Sequence, residues 1–342
     1  MQPQEQKFSF TGTGREYFRI WIVNLFLTIL TLGIYSAWAK VRRMQYFYRN
    51  TRLNESSFDY HGTPMAILKG RLIGIGLFAA YYGTLKVAPM LGLAIGLSIA
   101  LIMPFLLVTA FRFRLYNSSY CGLRFGFAGS VKSAYVTFLA LPVATLLTLY
   151  LLAPFTHQRI KAYQHNNSRF GQSHFAFNAG GGGFYKVYFL AFVQFVAIGG
   201  LLVYGAYLLL GGSMSNLPKE QMVMYVIALY ALLIVASLLV VPYFMSQIHN
   251  LVWNHTALGE NRFSSSLSTG ELAWVIFSNF ILIVLTLGLF KPFADIRLAR
   301  YKIERMALMS AGNMAEFVAS QQQQIGATGT ETAEVFDIDI GF

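Results

Sequence analysis

The chain has 342 residues, of which 56% are hydrophobic, 16% aromatic and only 12% charged, where a soluble domain carries roughly 25% charged residues. Such a chain must bury most of its length in something apolar, which excludes an ordinary soluble domain and points to a bilayer. The net charge of +12 comes from Lys and Arg beside the apolar runs, so it reads as flanks facing anionic headgroups and not as a nucleic-acid surface.

The N-terminal stretch MQPQEQKFSF is polar and lacks the basic start of a secretory signal. The apolar run 20–39 behind it is too long for a signal core, so it is expected to stay in the membrane. Runs 72–85 and 87–111 read as a hairpin with Lys86 at its tip. Lys69 and Arg71 at its base can snorkel, which places the helix start near Pro64. A lone run follows at 136–155. Runs 187–210 and 222–245 form a second hairpin, closed by GGSMSNLPKE, and a last lone run covers 272–289. Seven hydrophobic segments result: four clear spans and three lone runs that either span or re-enter.

One spacing recurs along the chain. Aromatic anchors stand at Trp38, Phe105, Phe155, Tyr243 and Phe293, and Pro104, Pro154, Pro242 and Pro292 precede the last four. Twenty residues beyond the first four anchors come Phe58, Phe125, Phe175 and Phe263. Tyr60, Phe127 and Phe177 follow two further on, with Ser265 the exception, and the chain opens on the same pattern at Phe8-Ser9-Phe10. Asn50, Asn117, Asn167 and His255 stand 12 past their anchors, each followed by Thr or Ser. These spacings predict five modules near 8–57, 58–124, 125–174, 175–262 and 263–308 in one membrane domain, with a polar, acidic and disordered tail at 309–342.

Each module reads as a short Phe-x-Phe strand, a membrane segment, a kinked amphipathic extension and a turn. Pro before an aromatic lets the helix bend where the aromatic anchors at headgroup level. Lys40, Arg42, Arg43, Arg159 and Arg297 then fall beside the lipid headgroups. Asn is expected to end the extension because it tolerates the left-handed conformation. The five strands can pair into a small cytoplasmic β layer. The predicted class is therefore an α-helical multipass membrane protein built from internal repeats. The first three connectors are strongly basic, which favours a common side and re-entry of the lone runs, whereas the length of those runs favours a single span.

Residues 8–64, with TLGIYSAWAKVRR at residues 31–43 as their core, resemble the YjgN-like family of bacterial inner-membrane proteins of unknown function. The resemblance implies a multipass protein of the bacterial cytoplasmic membrane and carries over no catalytic or binding residue.

The sequence carries none of the common catalytic or metal-binding motifs. No HExxH, GxxxxGK[ST], GxSxG or CxxC stands in the sequence, and the lone Cys121 excludes a disulfide framework. His157, His165 and His174 share one connector at spacings of 8 and 9, which suits surface positions better than a metal site. The clear spans hold no Asp, Glu, Lys or Arg in their interiors, which disfavours a proton-coupled antiporter. No catalytic residue, metal or cofactor is expected. Two functional readings follow. One is a non-enzymatic membrane protein that handles a lipid or another apolar or amphipathic solute in the manner of a transporter or channel. The other is a scaffold or regulator of another membrane protein. The expected partners are a bilayer with anionic headgroups and a membrane-protein partner or a second copy of the chain, with no nucleic acid.

Overall fold

The structure is a computed structural model that describes residues 4–209, 219–310 and 317–321. Strand β1 (Gln4–Phe10) leads into helices α1 (Gly14–Leu30) and α2 (Ser36–Arg49), and the chain returns as the strand pair β2 (Thr51–Leu53) and β3 (Ser56–Tyr60). Helices α3 (Pro64–Val87) and α4 (Pro89–Tyr116) lead to β4 (Ser118–Tyr120) and β5 (Leu123–Phe127). Then α5 (Val131–Tyr135), a π-helical turn (Val136–Ala140) and α6 (Leu141–Leu147) run on to α7 (Ala153–Asn166), β6 (Ser168–Phe170) and β7 (Ser173–Phe177). Helices α8 (Gly181–Leu209) and α9 (Lys219–Asn254) precede β8 (Thr256–Leu258) and β9 (Asn261–Ser265). Last come α10 (Thr269–Leu285), α11 (Lys291–Glu304) and β10 (Met306–Ser310).

All ten strands close into one antiparallel barrel, with β1 bonded to β10 on one side and to β2 on the other. Closure leaves no unpaired sheet edge. The expected layer of five strands is thus corrected to a barrel of ten. Four of the additional strands, β2, β4, β6 and β8, are three residues long, too short to show an alternating pattern. Among the described residues, the helices between strands leave the barrel only from β1, β3, β5, β7 and β9 and re-enter only at the even-numbered strands, so α1 to α11 all lie at one end of it. The helices close a second ring in the same order. Helix α1 packs between α11 and α2, α3 between α2 and α4, the α5–α6 run between α4 and α7, α8 between α7 and α9, and α10 between α9 and α11.

Four helices, α3, α4, α8 and α9, are long and apolar enough to cross a membrane, and they carry the four clear runs of the sequence. The three lone runs fold back as hairpins, because the strands that flank each of them pair in the same barrel. Helix α1 has 17 residues, about 25 Å of rise against a hydrocarbon core of about 30 Å. The hairpin tips are alike. Leu32, Leu149 and Leu287 have φ of 49°, 49° and 50° and stand 95%, 86% and 94% exposed. The amides of Gly33, Tyr150 and Gly288 each bond the carbonyl five residues back at 2.8 Å. That is the closure of a helix C-terminus by a left-handed residue.

The other helix ends close differently, which corrects the expected left-handed Asn. Asn50, Asn117 and Asn167 have φ of −92°, −84° and −98°. Their Nδ2 atoms donate to the carbonyls of Tyr46, Phe113 and Tyr163 at 2.8, 2.8 and 2.7 Å. The next hydroxyls, on Thr51, Ser118 and Ser168, donate to Phe47, Arg114 and Gln164. Side chains thus satisfy carbonyls that a helix end leaves bare, and the backbone is free to turn straight into a strand. The Pro positions are packing positions. Ala37, Pro104, Pro154, Pro242 and Pro292 are all buried. Pro104 and Pro242 lie inside α4 and α9, as a kinked extension requires. Pro154 and Pro292 instead open α7 and α11, where a missing N–H costs nothing.

Candidate functional site

The barrel interior is built from directly paired side chains. Phe8 faces Leu53 across strands, Phe58 faces Tyr120, Phe125 faces Phe170, Phe175 faces Leu258, and Phe263 faces Leu308. The five Phe rings form a closed circle, each stacked or tilted on the next, with centroids 6.0–6.5 Å apart. This layer follows from the strand period of two, which turns every Phe of the 20-residue spacing to one face. Above it lies a cavity of about 280 Å³, walled almost wholly by apolar atoms of these rings and of Tyr48, Trp253, Ile303 and Met306. An apolar void of this kind stays dry and accepts apolar groups. At the end remote from the helices, the helical turn at 317–321 covers the barrel. Phe317 stacks on Phe170 at 6.4 Å, Val318 is buried in the barrel core, and Gln321 Oε1 accepts from the amides of Gln172 and Ser173. The rest of the expected disordered tail, including VFDIDIGF at 335–342, lies outside the described residues.

On the helix side, Trp253 joins the cavity to a basic cluster. Its ring lies 5.2 Å from Phe263 and 5.5 and 6.3 Å from the imidazoles of His165 and His249. Lys161 stands close enough to act on His157, His165 and His249, and Lys302 acts on His249 from α11. Burial pushes the Lys161 and Lys302 ammonium groups below the usual lysine range. Burial, with the Lys161 charge adding to it, pushes His157 and His165 down to about 4. Among the described residues no ion pair reaches Lys161 or Lys302.

The hydrogen bonds fix two of the imidazole tautomers. Thr256 Oγ1 donates its proton to the Val252 carbonyl, so it accepts from His165 Nδ1 at 3.3 Å. Ser265 Oγ donates to Asn250 Oδ1, so it accepts from His249 Nδ1 at 3.0 Å. Both imidazoles therefore keep an unprotonated Nε2.

This cluster corrects the surface reading of the histidines. His174 is exposed, but His157 and His165 are mostly enclosed by rings of neighbouring helices and strands. They lie eight apart on one face of α7, a spacing that reads in sequence only as part of an amphipathic connector. Among the described residues no group of three or more His, Cys, Asp or Glu can hold a metal ion.

The residues expected at the headgroups are spread over the helix ring. Lys40, Arg42, Arg43 and Arg159 are exposed. Arg42 lies over Tyr35 and Arg159 over Phe155, while Arg43 pairs with Asp295 at 3.5 Å. Arg297 is half-buried and donates to Asn279 Oδ1 at 2.7 Å and Ser278 Oγ at 3.0 Å. Of the aromatic anchors, Phe105 is 43% exposed, and Trp38, Phe155, Tyr243 and Phe293 are half-buried. The inner wall at Leu53, Tyr120, Phe170, Leu258 and Leu308 went unread in the sequence. Its signal was available: each of these residues stands 15 past an anchor.

Among known proteins, the chain is 27% identical over 341 residues to the inner membrane protein YjgN of Salmonella typhimurium LT2, covering 85% of each chain. It is 32% and 31% identical over 144 residues to the proteins of the same name from Escherichia coli O157:H7 and K12, covering 42% of this chain and 36% of theirs. A membrane setting, as in those names, fits the four helices long and apolar enough to cross one. No solved structure matches. A family model described as "Bacterial protein of unknown function" (DUF898) matches residues 5–335, and the chain belongs to that family.

Proposed function

We propose that this is a non-enzymatic membrane protein that holds an apolar or amphipathic solute, lipid included, with the apolar part of the solute lodged in the barrel lumen. The observation that carries the reading is the apolar cavity of about 280 Å³ over the ring of Phe8, Phe58, Phe125, Phe175 and Phe263. A fully packed barrel would bury these side chains with no void, as native interiors normally do. The five-module reading supports a lumen made for one ligand, since every module contributes one Phe and one residue of the inner wall. In the same reading the hairpin tips at Leu32, Leu149 and Leu287 dip into one leaflet, and Lys40, Arg42, Arg43 and Arg159 meet anionic headgroups.

The test uses Trp253 as the only tryptophan, with Trp21, Trp38 and Trp274 replaced by Phe. A brominated fatty acid is titrated into the reconstituted protein. Saturable quenching that Leu258→Phe or Leu308→Phe abolishes supports the reading. Quenching that only tracks the bilayer content of brominated chain, unchanged in both variants, overturns it. That result, together with a membrane protein that co-purifies in fixed ratio, would favour the scaffold reading instead.

A further inference from the structure

The geometry points to the helical turn at 317–321 as a releasable plug that opens the remote end of the lumen to water. The plug stands apart from the proposed function, because its release does not depend on which solute the lumen holds. One face of the turn makes the seal. Phe317, Val318 and Gln321, at helical positions i, i+1 and i+4, turn toward the barrel, while Ala319 and Ser320 are exposed. Phe317 stacks on Phe170 with centroids 6.4 Å apart, and Val318 is buried in the cluster of Leu53, Tyr120, Phe170 and Leu308. Gln321 Oε1 accepts from the amides of Gln172 and Ser173 at 2.9 and 3.1 Å. A Cβ on Gly171 would meet that oxygen at 2.9 Å, so the glycine of the β6–β7 turn lets the plug come this close.

Two features set this seal apart from the permanent wall of the barrel. The first is its size. The turn is five residues long, and isolated helices shorter than about 12 residues are marginal in water. Its helical form therefore depends on docking, and undocking releases one short unit without breaking a strand pair. The second is what lies beneath it. Gln6, Asn261 and Ser310 stand at the strand ends remote from the helices. Gln6 pairs with Leu308, Asn261 lies two residues before Phe263, and Ser310 lies two after Leu308, so all three share the interior face. All three are buried. Ser310 Oγ donates to Asn261 Oδ1 at 2.9 Å, but Gln6 Oε1 is buried with no hydrogen-bond partner. A buried acceptor left bare destabilises the closed state, and water at the floor would relieve it. The lumen is thus apolar over its Phe layer and polar at the end where water would enter.

The experiment has two arms, both on the full chain in a nonionic detergent. In the first, residue-resolved hydrogen exchange follows the Gln172 amide. It is expected to exchange more slowly than an open peptide, because Gln321 holds it, yet about tenfold or more faster than the strand amides of β6 and β7, as a locally opening unit does. Gln321→Ala should speed the Gln172 amide about tenfold and leave the strand amides unchanged. In the second, Gln6→Cys in a Cys121→Ser background reports water at the floor through its rate of reaction with a small charged methanethiosulfonate. Phe317→Ser and Gln321→Ala should each speed that reaction about tenfold, and Ala319→Ser, on the exposed face, should leave it unchanged. Thermal melts accompany every variant. A Gln172 amide that exchanges together with the strands overturns the proposal, because the turn is then a fixed part of the barrel. An unprotected Gln172 amide overturns it too, because nothing is then docked. Thiol reaction that the plug variants leave unchanged, or raise only as far as their melting temperatures fall, overturns it as well.

Discussion

At the scale of single residues, the buried imidazoles of α7 make the fold sensitive to acid. His157 and His165 are held down to about 4 by burial first and by the Lys161 charge second. An unfolded chain protonates them near pH 6.5, so between pH 6.5 and about 4 the unfolded state binds more protons than the folded one. Stability is therefore unaffected by these groups above pH 6.5, falls as the pH drops through that window, and levels off below it. The loss is expected to reach up to about 3 kcal/mol for a well-buried imidazole. Melting temperatures of the detergent-solubilised protein across this range would show it, and His165→Gln should flatten part of the slope. A profile with no acid slope between pH 6.5 and about 4 would contradict the burial. These residues were hard to recognise in the sequence because a Lys or His on a polar connector has the same spelling whether it faces water or an enclosed chamber. The Phe layer was easier, since one spacing of 20 residues marks four of its five members and Phe8 opens the chain.

At the scale of elements, the hairpins are the feature that local pattern left open. Run 20–39 is long enough to cross a bilayer, and Thr31-Leu32-Gly33 inside it carries no strong breaker apart from one Gly. What turns the chain back is remote: Phe8 pairs with Leu53 and Phe10 with Thr51, which holds both ends of the hairpin at one barrel. Such pairing is non-local and has no counterpart in hydropathy. The helix ends were half legible. Asn followed by Thr or Ser does mark each of the first three turns, but through back-bonding side chains and not through a left-handed backbone. The tips carry a clear prediction. In a Cys121→Ser background, single cysteines at Leu32, Leu149 and Leu287 should resist a water-soluble maleimide from both sides of the membrane until detergent is added. These side chains are among the most exposed apolar groups of the molecule, so only lipid can shield them. Rapid labelling from either side in intact membranes would show that the tips sit in water and that the hairpins do not dip.

At the scale of the whole molecule, the closed barrel decides sidedness for every connector at once. Its strand turns, at Asn54-Glu55, Cys121-Gly122, Gly171-Gln172 and Gly259-Glu260, all lie at the end away from the helices. A barrel whose ten strands bond only to one another cannot be divided between two sides of a membrane. Arg52, Arg124, Arg169 and Arg262 sit on its exposed surface, and with the basic helix ends above them they predict, by the positive-inside rule, a barrel on the cytoplasmic side. Single cysteines at Glu55, Gly122, Gln172 and Glu260 should therefore label together in inside-out vesicles and stay protected in intact spheroplasts. Gly122 has φ of 79°, so a cysteine there adds strain, and the native Cys121 serves as its substitute in the otherwise unaltered protein. If the positions at 172 and 260 labelled from outside while 55 and 121 stayed protected, the run 136–155 would have to span, β5 could not reach β6, and the lumen itself would not exist in the membrane.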